Sequence, residues 1–346
     1  MRGGDNRTEL LLRMDRRSPC ACTQTVGASC PCRHPQMVYC LAEQPDAQSR
    51  TFQFVVVRGS MLLRVGVACV VLLCNCAPIN ATANEIDSEH LFGFTEGSDI
   101  GARGDKELEL SGHGRFGARG GRYSAVSTEL EGKFTLLDNF RIAPGFSLAH
   151  YNIVDVPGLE DRKSGAVEGV SIEMKYRVLD RQLFPIGLTL GITPNLKRVD
   201  GASGVPIDGY GVDFFLLADK ELIPGRLFGA FNVIYDPAAT QSRLTGEWTR
   251  DASLQLSGAA AAQIARGVFV GGEVRYARAY AGLGLSDLSG HALFVGPTFY
   301  AQFSKTTWLS VGWNIQVAGR SVEERSSPDL VNFQRNEVIV RFGHAF

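Results

Sequence analysis

The sequence predicts an all-β chain: a single up-and-down antiparallel transmembrane barrel of about twelve strands. Three observations lead there. Apolar and polar residues alternate with period two in segment after segment from Lys106 to Phe346. The links between those segments are short and long by turns, whereas a soluble sandwich has no reason to segregate its loops so regularly. No stretch of comparable length shows helical period, and the apolar run Val65–Leu73 is only nine residues, too short for a helix to cross about 30 Å of hydrocarbon.

The strands follow in order. Glu107-Leu-Glu-Leu alternation opens a first strand at 106–116, and Gly117–Gly121 supplies the turn to a second at 122–134. The short link Leu136–Asn139 leads to 140–151, and the polar stretch Asn152–Gly165 leads to 166–178. There, Val170, Ile172, Met174, Tyr176 and Val178 form one face, and Gly169, Ser171, Glu173, Lys175 and Arg177 the other. Strands at 186–195 and 209–219 flank the loop Leu196–Asp208, and Lys220–Gly225 turns into 226–235. Asp236–Ser242 reads as a loop before a long strand at 243–262. Ala265–Arg266 then turns into 267–279, Gly282–Gly290 precedes 291–303, and Ser304–Thr306 precedes 307–318. The last strand, 335–346, places Val338, Val340, Phe342, His344 and Phe346 on one face; Ile339 is the one apolar residue on the other. Most strands reach the nine to eleven residues that a tilted crossing needs. Apolar side chains then face lipid, and the polar set faces the lumen.

Upstream of residue 106 the composition changes. All eight cysteines lie before residue 77. Met61–Ala83 has the build of a secretory signal: Arg64, the apolar core Val65–Leu73, and Ala81-Thr82-Ala83 before Asn84. Residues 1–60 lack any sustained period and read as a disordered upstream extension, with Met61 the expected start. The pairs Cys20-Ala-Cys22 and Cys30-Pro-Cys32 with His34 give a metal-binding tail as the alternative; C-x-C pairs without an apolar framework are weak evidence for it. From Asn84 onward there are 26 Lys and Arg against 31 Asp and Glu, a balance with no electrostatic footprint for nucleic acid.

Gly112-His-Gly114-Arg-Phe-Gly117 matches G-x-G-x-x-G, but the dinucleotide fingerprint requires a buried strand before it and a helix after it, and neither is present. Ser111 with His113, and Ser289 with His291, are the Ser-His pairs that a rim hydrolase of phospholipase type would need, and neither has a visible third residue to orient the imidazole. No catalytic residue, cofactor or metal is therefore expected in the barrel. Tyr123, Tyr151, Tyr176, Tyr235, Trp248, Tyr276, Phe299, Tyr300 and Phe346 lie near strand ends and suggest interfacial girdles.

The candidate functional residues are the charges on the inward set: Arg115, Glu129, Lys133, Arg141, Glu173, Lys175, Arg177, Asp213, Arg243, Glu247, Glu273, Arg275, Glu337 and Arg341. A ladder of one sign would mark an ion-selective pore; this nearly balanced set predicts ion pairs across a narrowed lumen.

The terminal Phe346 resembles the end of the last strand in bacterial outer-membrane barrels, where the assembly machinery reads the chain. Glu89-His90-Leu91-Phe92-Gly93-Phe94-Thr95-Glu96-Gly97-Ser98-Asp99-Ile100-Gly101 is similar to the start of the mature chain in a family of uncharacterised alphaproteobacterial outer-membrane proteins. That resemblance covers the mature chain, and only the short run is specific. It implies the same barrel; the signal sequence Met61–Ala83 supplies the expected location, the outer membrane of a Gram-negative bacterium, in contact with its lipid and reached by export through a cleaved signal peptide. It carries over no set of functional residues. Residues 84–105 are expected to be a simple periplasmic tail, with a plug in the barrel as the alternative, and 106–346 the barrel. A narrow passive diffusion channel for small solutes is the leading expectation, and a non-conducting structural or adhesion barrel acting through its external loops is the alternative.

Overall fold

Alternation alone yields flat half-apolar sheet, and an edge in hydrocarbon leaves backbone groups unpaired, so the sheet has to close on itself. The computed structural model describes residues 86–346 and shows that closure. Its strands are β1 (Lys106–Phe116), β2 (Arg122–Leu137), β3 (Phe140–Val154), β4 (Arg162–Leu179), β5 (Gly187–Val199), β6 (Pro206–Ile223), β7 (Leu227–Ser242), β8 (Trp248–Ala265), β9 (Val268–Ala281), β10 (Asp287–Gln302), β11 (Thr307–Ser321) and β12 (Asn336–Ala345). Each pairs antiparallel with its sequence neighbours, and β1 pairs with β12 from Glu107↔Ala345 to Phe116↔Asn336. The upstream extension and the signal sequence expected at 1–60 and 61–83 lie outside the described residues.

All twelve strands lie where the alternation puts them, and several run further into the loops than expected. The largest difference is at β7. Asp236–Ser242, expected as a loop, continues the strand and pairs with both neighbours, as in Tyr210↔Ala239 and Ala239↔Arg250. The turn moves to residues 243–247, so β8 begins at Trp248. Asp-Pro reads as a turn in isolation, yet a ladder on both sides holds it extended here.

The two faces are those of the alternation. On β11, Trp308, Ser310, Asn314 and Gln316 are buried inside while Trp313 and Val317 are exposed outside. Ile339, the misfit of β12, is buried on the inner face. Three aromatics expected at girdles also turn inward. Tyr123 and Tyr151 donate to the carbonyls of Ala202 (2.9 Å) and Asp200 (3.1 Å), and Tyr300 packs against Trp308. A phenol near a strand end goes to whichever side offers an acceptor.

Candidate functional site: a lumen occupied by the N-terminal segment

The interior is not an empty cylinder. The segment from Ile86 to Gly101 lies inside the barrel, where Leu91, Phe92 and Ile100 are fully buried. The run of apolar residues flanked by acids explains the placement. Leu91 and Phe92 pack on Phe228, Phe269, Tyr300 and Trp308, apolar side chains on the inner face of the barrel. Burying each such side chain is worth about 1.5–3 kcal/mol. His90 stacks on Trp308 with ring centroids 3.8 Å apart. A tail trailing in water would leave both this bed and the charges around it unmatched.

The acids of the segment take the inward bases. Arg141 binds the Glu89 carboxylate through both terminal nitrogens, Lys175 reaches it at 2.9 Å and Lys133 at 3.6 Å. Glu96 sits between Lys175 and Arg341, 2.9 Å from each. Arg141 also contacts Glu173 at 3.0 Å, and Lys133 contacts Glu109 at 2.5 Å. The backbone of the tip is held by wall side chains as well. Glu273 accepts the amides of Phe94 (2.9 Å) and Thr95 (2.9 Å), Arg341 donates to the Gly93 carbonyl at 2.6 Å, and Ser310 donates to the Phe92 carbonyl at 2.8 Å. The Arg275 guanidinium lies 3.9 Å from the Phe94 ring centre and pairs with Glu337. Gly93 rests on Gly312, where a Cβ would come within 2.7 Å of the Gly93 Cα; only glycine admits this approach.

The segment enters and leaves at one end. Arg181, in the β4–β5 turn, donates to the Ile86 carbonyl (2.6 Å) and binds Asp99 (2.7 Å), and the Ser88 amide donates to Asp99 at 2.8 Å. Asp99 accordingly closes the neck of a loop whose tip is Phe94. Burial and nearby Asp87 push the Asp99 carboxyl up to about 7, against the pull of Arg181. Burial and Lys133 depress the His90 imidazole, but Glu89 and Glu107 outweigh them and hold it near 9. Burial alone would raise Glu89, yet Arg141, Lys133 and Lys175 set it well below the usual carboxylate range.

Beyond the loop, toward the longer connections, lies a cavity of about 460 Å³. Glu96 and Arg341 line it, so the loop forms its floor. Its wall carries Glu129, Glu131, Glu168 and Asp213, none of which has a basic partner among the described residues, against Arg115 and Lys197. Glu129 accepts from Ser171 at 2.9 Å and Asp213 from Asn195 at 3.3 Å. Past the cavity the β11–β12 connection folds inward: Phe333 packs on Phe294, and Gln316 donates to the Asp329 carbonyl at 3.0 Å.

The candidate charges thus separate into layers. Lys133, Arg141, Lys175, Glu273, Arg275 and Glu337 surround the loop, Arg115, Glu129 and Asp213 line the cavity, and Glu173 and Arg341 lie where the two meet. Arg177 sits at the rim and donates to the Asp138 carbonyl at 2.6 Å. Arg243 and Glu247 are not lumen residues. They occupy the β7–β8 turn, where Arg243 pairs with Asp208 at 2.6 Å in the open. The misplaced start of β8 accounts for both. Of the Ser-His pairs, Ser111 and His113 line the cavity, with His113 3.7 Å from Glu337, and Ser289 lies at a bulge of β10. Residues that the alternation did not single out include Glu89, Glu96, Asp99 and Arg181, together with the inward aromatics that bed the loop.

The pattern of one protein family spans residues 84–346, from the loop to the last strand. The chain belongs to the family of unknown function DUF6662. No curated protein matches it. Among solved structures it is similar to the COG4313 outer membrane channel from Pseudomonas putida F1, at 12% identity and a TM-score of 0.50, over 72% of this chain and 98% of that one. The NanC porin is similar at 12% identity and a TM-score of 0.41, over 69% and 98% of the two chains. The translocator domain of the autotransporter NalP from Neisseria meningitidis is similar at 10% identity and a TM-score of 0.41, over 72% and 90%. The likeness to the Pseudomonas channel is one of fold alone: this DUF6662 barrel resembles the barrels of Gram-negative outer-membrane proteins.

Proposed function

We propose that this chain is a non-enzymatic outer-membrane channel for small solutes, closed in the described state by its own segment 86–105. The observation that carries this reading is the cavity floor. Glu96 belongs to the loop and also lines the cavity, so moving the loop joins the cavity to the opposite end of the barrel. Four carboxylates without basic partners outweigh Arg115 and Lys197 in that cavity, which favours cations over anions. With the longer connections external, the loop's neck faces the periplasm, where export through a cleaved signal sequence would leave Asn84.

The test is single-channel conductance of the refolded full chain in a planar bilayer, beside Glu89→Gln/Glu96→Gln. The parent is expected to show small or rare openings, and the double variant larger and more frequent ones with cation preference. Neutralising Glu129, Glu131, Glu168 and Asp213 together should abolish that preference. If every variant keeps heat-modifiable mobility and none conducts, the channel reading falls, and a structural barrel acting through its external loops replaces it.

A further inference from the structure

The outer wall has its own charge pattern. On β9, β10 and β11 the outward side chains are apolar up to one level: Val270, Val274 and Tyr276; Phe299, Val295 and Leu293; Trp313, Ile315 and Val317. The next outward residues are Arg278, His291 and Arg320. They form one row, because His291 pairs in register with Arg278 on one side and Arg320 on the other. Neighbouring strands are about 4.8 Å apart, so the backbone row is about 10 Å wide; the Arg278 guanidinium lies over the Tyr280 ring and the His291 ring packs against Tyr276. Arg278 lies ten residues beyond Val268. In a strand tilted about 45° that is roughly 23 Å of height, the top of an apolar band about 25 Å tall.

The row is uncompensated. Elsewhere on the rim Arg198 and Arg243 share Asp208, at 2.6 Å each, whereas no carboxylate among the described residues pairs with Arg278, His291 or Arg320. Directly above, the β9–β10 connection leans on the outer wall: the Tyr235 hydroxyl donates to the Leu283 carbonyl, and Leu283 and Leu285 are 44% and 49% exposed. Tyr235 itself stacks on the outward Phe214.

We propose that this sector of the wall binds a phosphorylated lipid of the surrounding outer leaflet, its phosphate on the Arg278–His291–Arg320 row and its acyl chains along the apolar stripe beneath. Charge complementarity selects the headgroup, and the height of the row sets it at the membrane surface. A phosphate monoester presents three acceptor oxygens to this arc of donors. The inference takes only the membrane setting from the proposed function and is independent of conduction.

The experiment is native mass spectrometry of the refolded full chain in detergent, titrated with lipid A carrying both phosphates, with dephosphorylated lipid A, or with inorganic phosphate as competitor. Retention of the phosphorylated lipid about tenfold tighter than of the dephosphorylated one is expected. Arg278→Gln/Arg320→Gln should erase that difference, and Arg278→Lys/Arg320→Lys should keep part of it. Equal retention of the two lipids by the unmodified chain overturns the proposal, as does a double Gln variant that binds like the parent. Displacement by inorganic phosphate at the same concentration as the lipid also overturns it, by showing a general anion site. Should the Gln variant lack heat-modifiable mobility, the comparison of the two lipids on the unmodified chain decides the matter.

Discussion

Glu89 and Arg141 meet inside the barrel as a two-point ion pair, both fully enclosed, and join the segment ahead of β1 to the wall at β3. Lys175 and Lys133 approach the same carboxylate, so its removal takes one partner from three buried cations at once and leaves them Glu173, Glu96 and Glu109. Breaking one partner out of a buried pair typically costs about 3–5 kcal/mol, while removing both is milder. Glu89→Gln is therefore expected to unseat the loop and lower the denaturant midpoint, and Glu89→Gln/Arg141→Gln to recover part of the loss. Guanidinium titrations of the three chains in detergent check this; a double variant worse than the single one would argue against the pair as the main tie.

Val311 and Gly312 are adjacent on β11 and face opposite ways. Val311→Arg places a charge toward lipid and should cost roughly 2–4 kcal/mol near the midplane. Gly312→Val should leave the barrel intact, yet its Cβ would collide with the Gly93 Cα, which displaces the loop. The expected signature is unchanged heat-modifiable mobility with increased conductance and faster protease cleavage between Ile86 and Asp105. Loss of the folded band in Gly312→Val would mean that the wall, rather than the loop, gives way.

Acid and alkali act on the loop through different groups. Asp99 and His90 have raised values in the seated loop, about 7 and about 9, so the seated state binds more protons than the free one. Their contribution is present at low pH and is lost as pH rises, from about 4 to 7 for Asp99 and from about 6.5 to 9 for His90. Glu89 is lowered, so its contribution holds above the ordinary carboxylate range and is lost only in strong acid. Open probability should thus rise between about pH 4 and 9, through Asp99 in the lower part and His90 in the upper, and again in strong acid. Asp99→Asn should flatten the part below pH 7, and a bilayer series in buffered salt reads it directly.

Processing makes its own prediction. Ala81-Thr82-Ala83 before a polar residue is the pattern expected to direct cleavage to Asn84, the residue at which the family pattern also begins. N-terminal sequencing of protein taken from outer membranes should start within a few residues of Asn84; an intact 1–60 segment would refute the signal reading.

Much of the barrel was legible because period two acts locally. Each of the twelve strands declares its two faces in its own residues, and Trp308, Ser310 and Asn314 point inward as the alternation requires. The failures share a cause. Asp236-Pro237 looks like a turn until β6 and β8 are present to hold it, and Tyr123 and Tyr151 turn inward only because Ala202 and Asp200 offer carbonyls. The balanced inward charges foretold ion pairs, but not that many of them would be made to the loop. A signal was present nonetheless: Phe228, Phe269, Tyr300 and Trp308 are apolar residues on the polar side of their strands, and Leu91 and Phe92 are apolar residues in a segment with no strand to belong to. Each set answers the other.

Arg341 ties the seated loop to the strand that completes the barrel. It lies on β12, the last strand to be made, and it binds the Gly93 carbonyl and Glu96 from the far side of the seam that β12 forms with β1. The loop ahead of β1 is made first. Its contacts therefore remain incomplete until the ends of the chain meet, and seating it rewards correct zipping of the seam over any slipped register. The loop that fills the finished barrel therefore also ties its last strand to the segment ahead of its first.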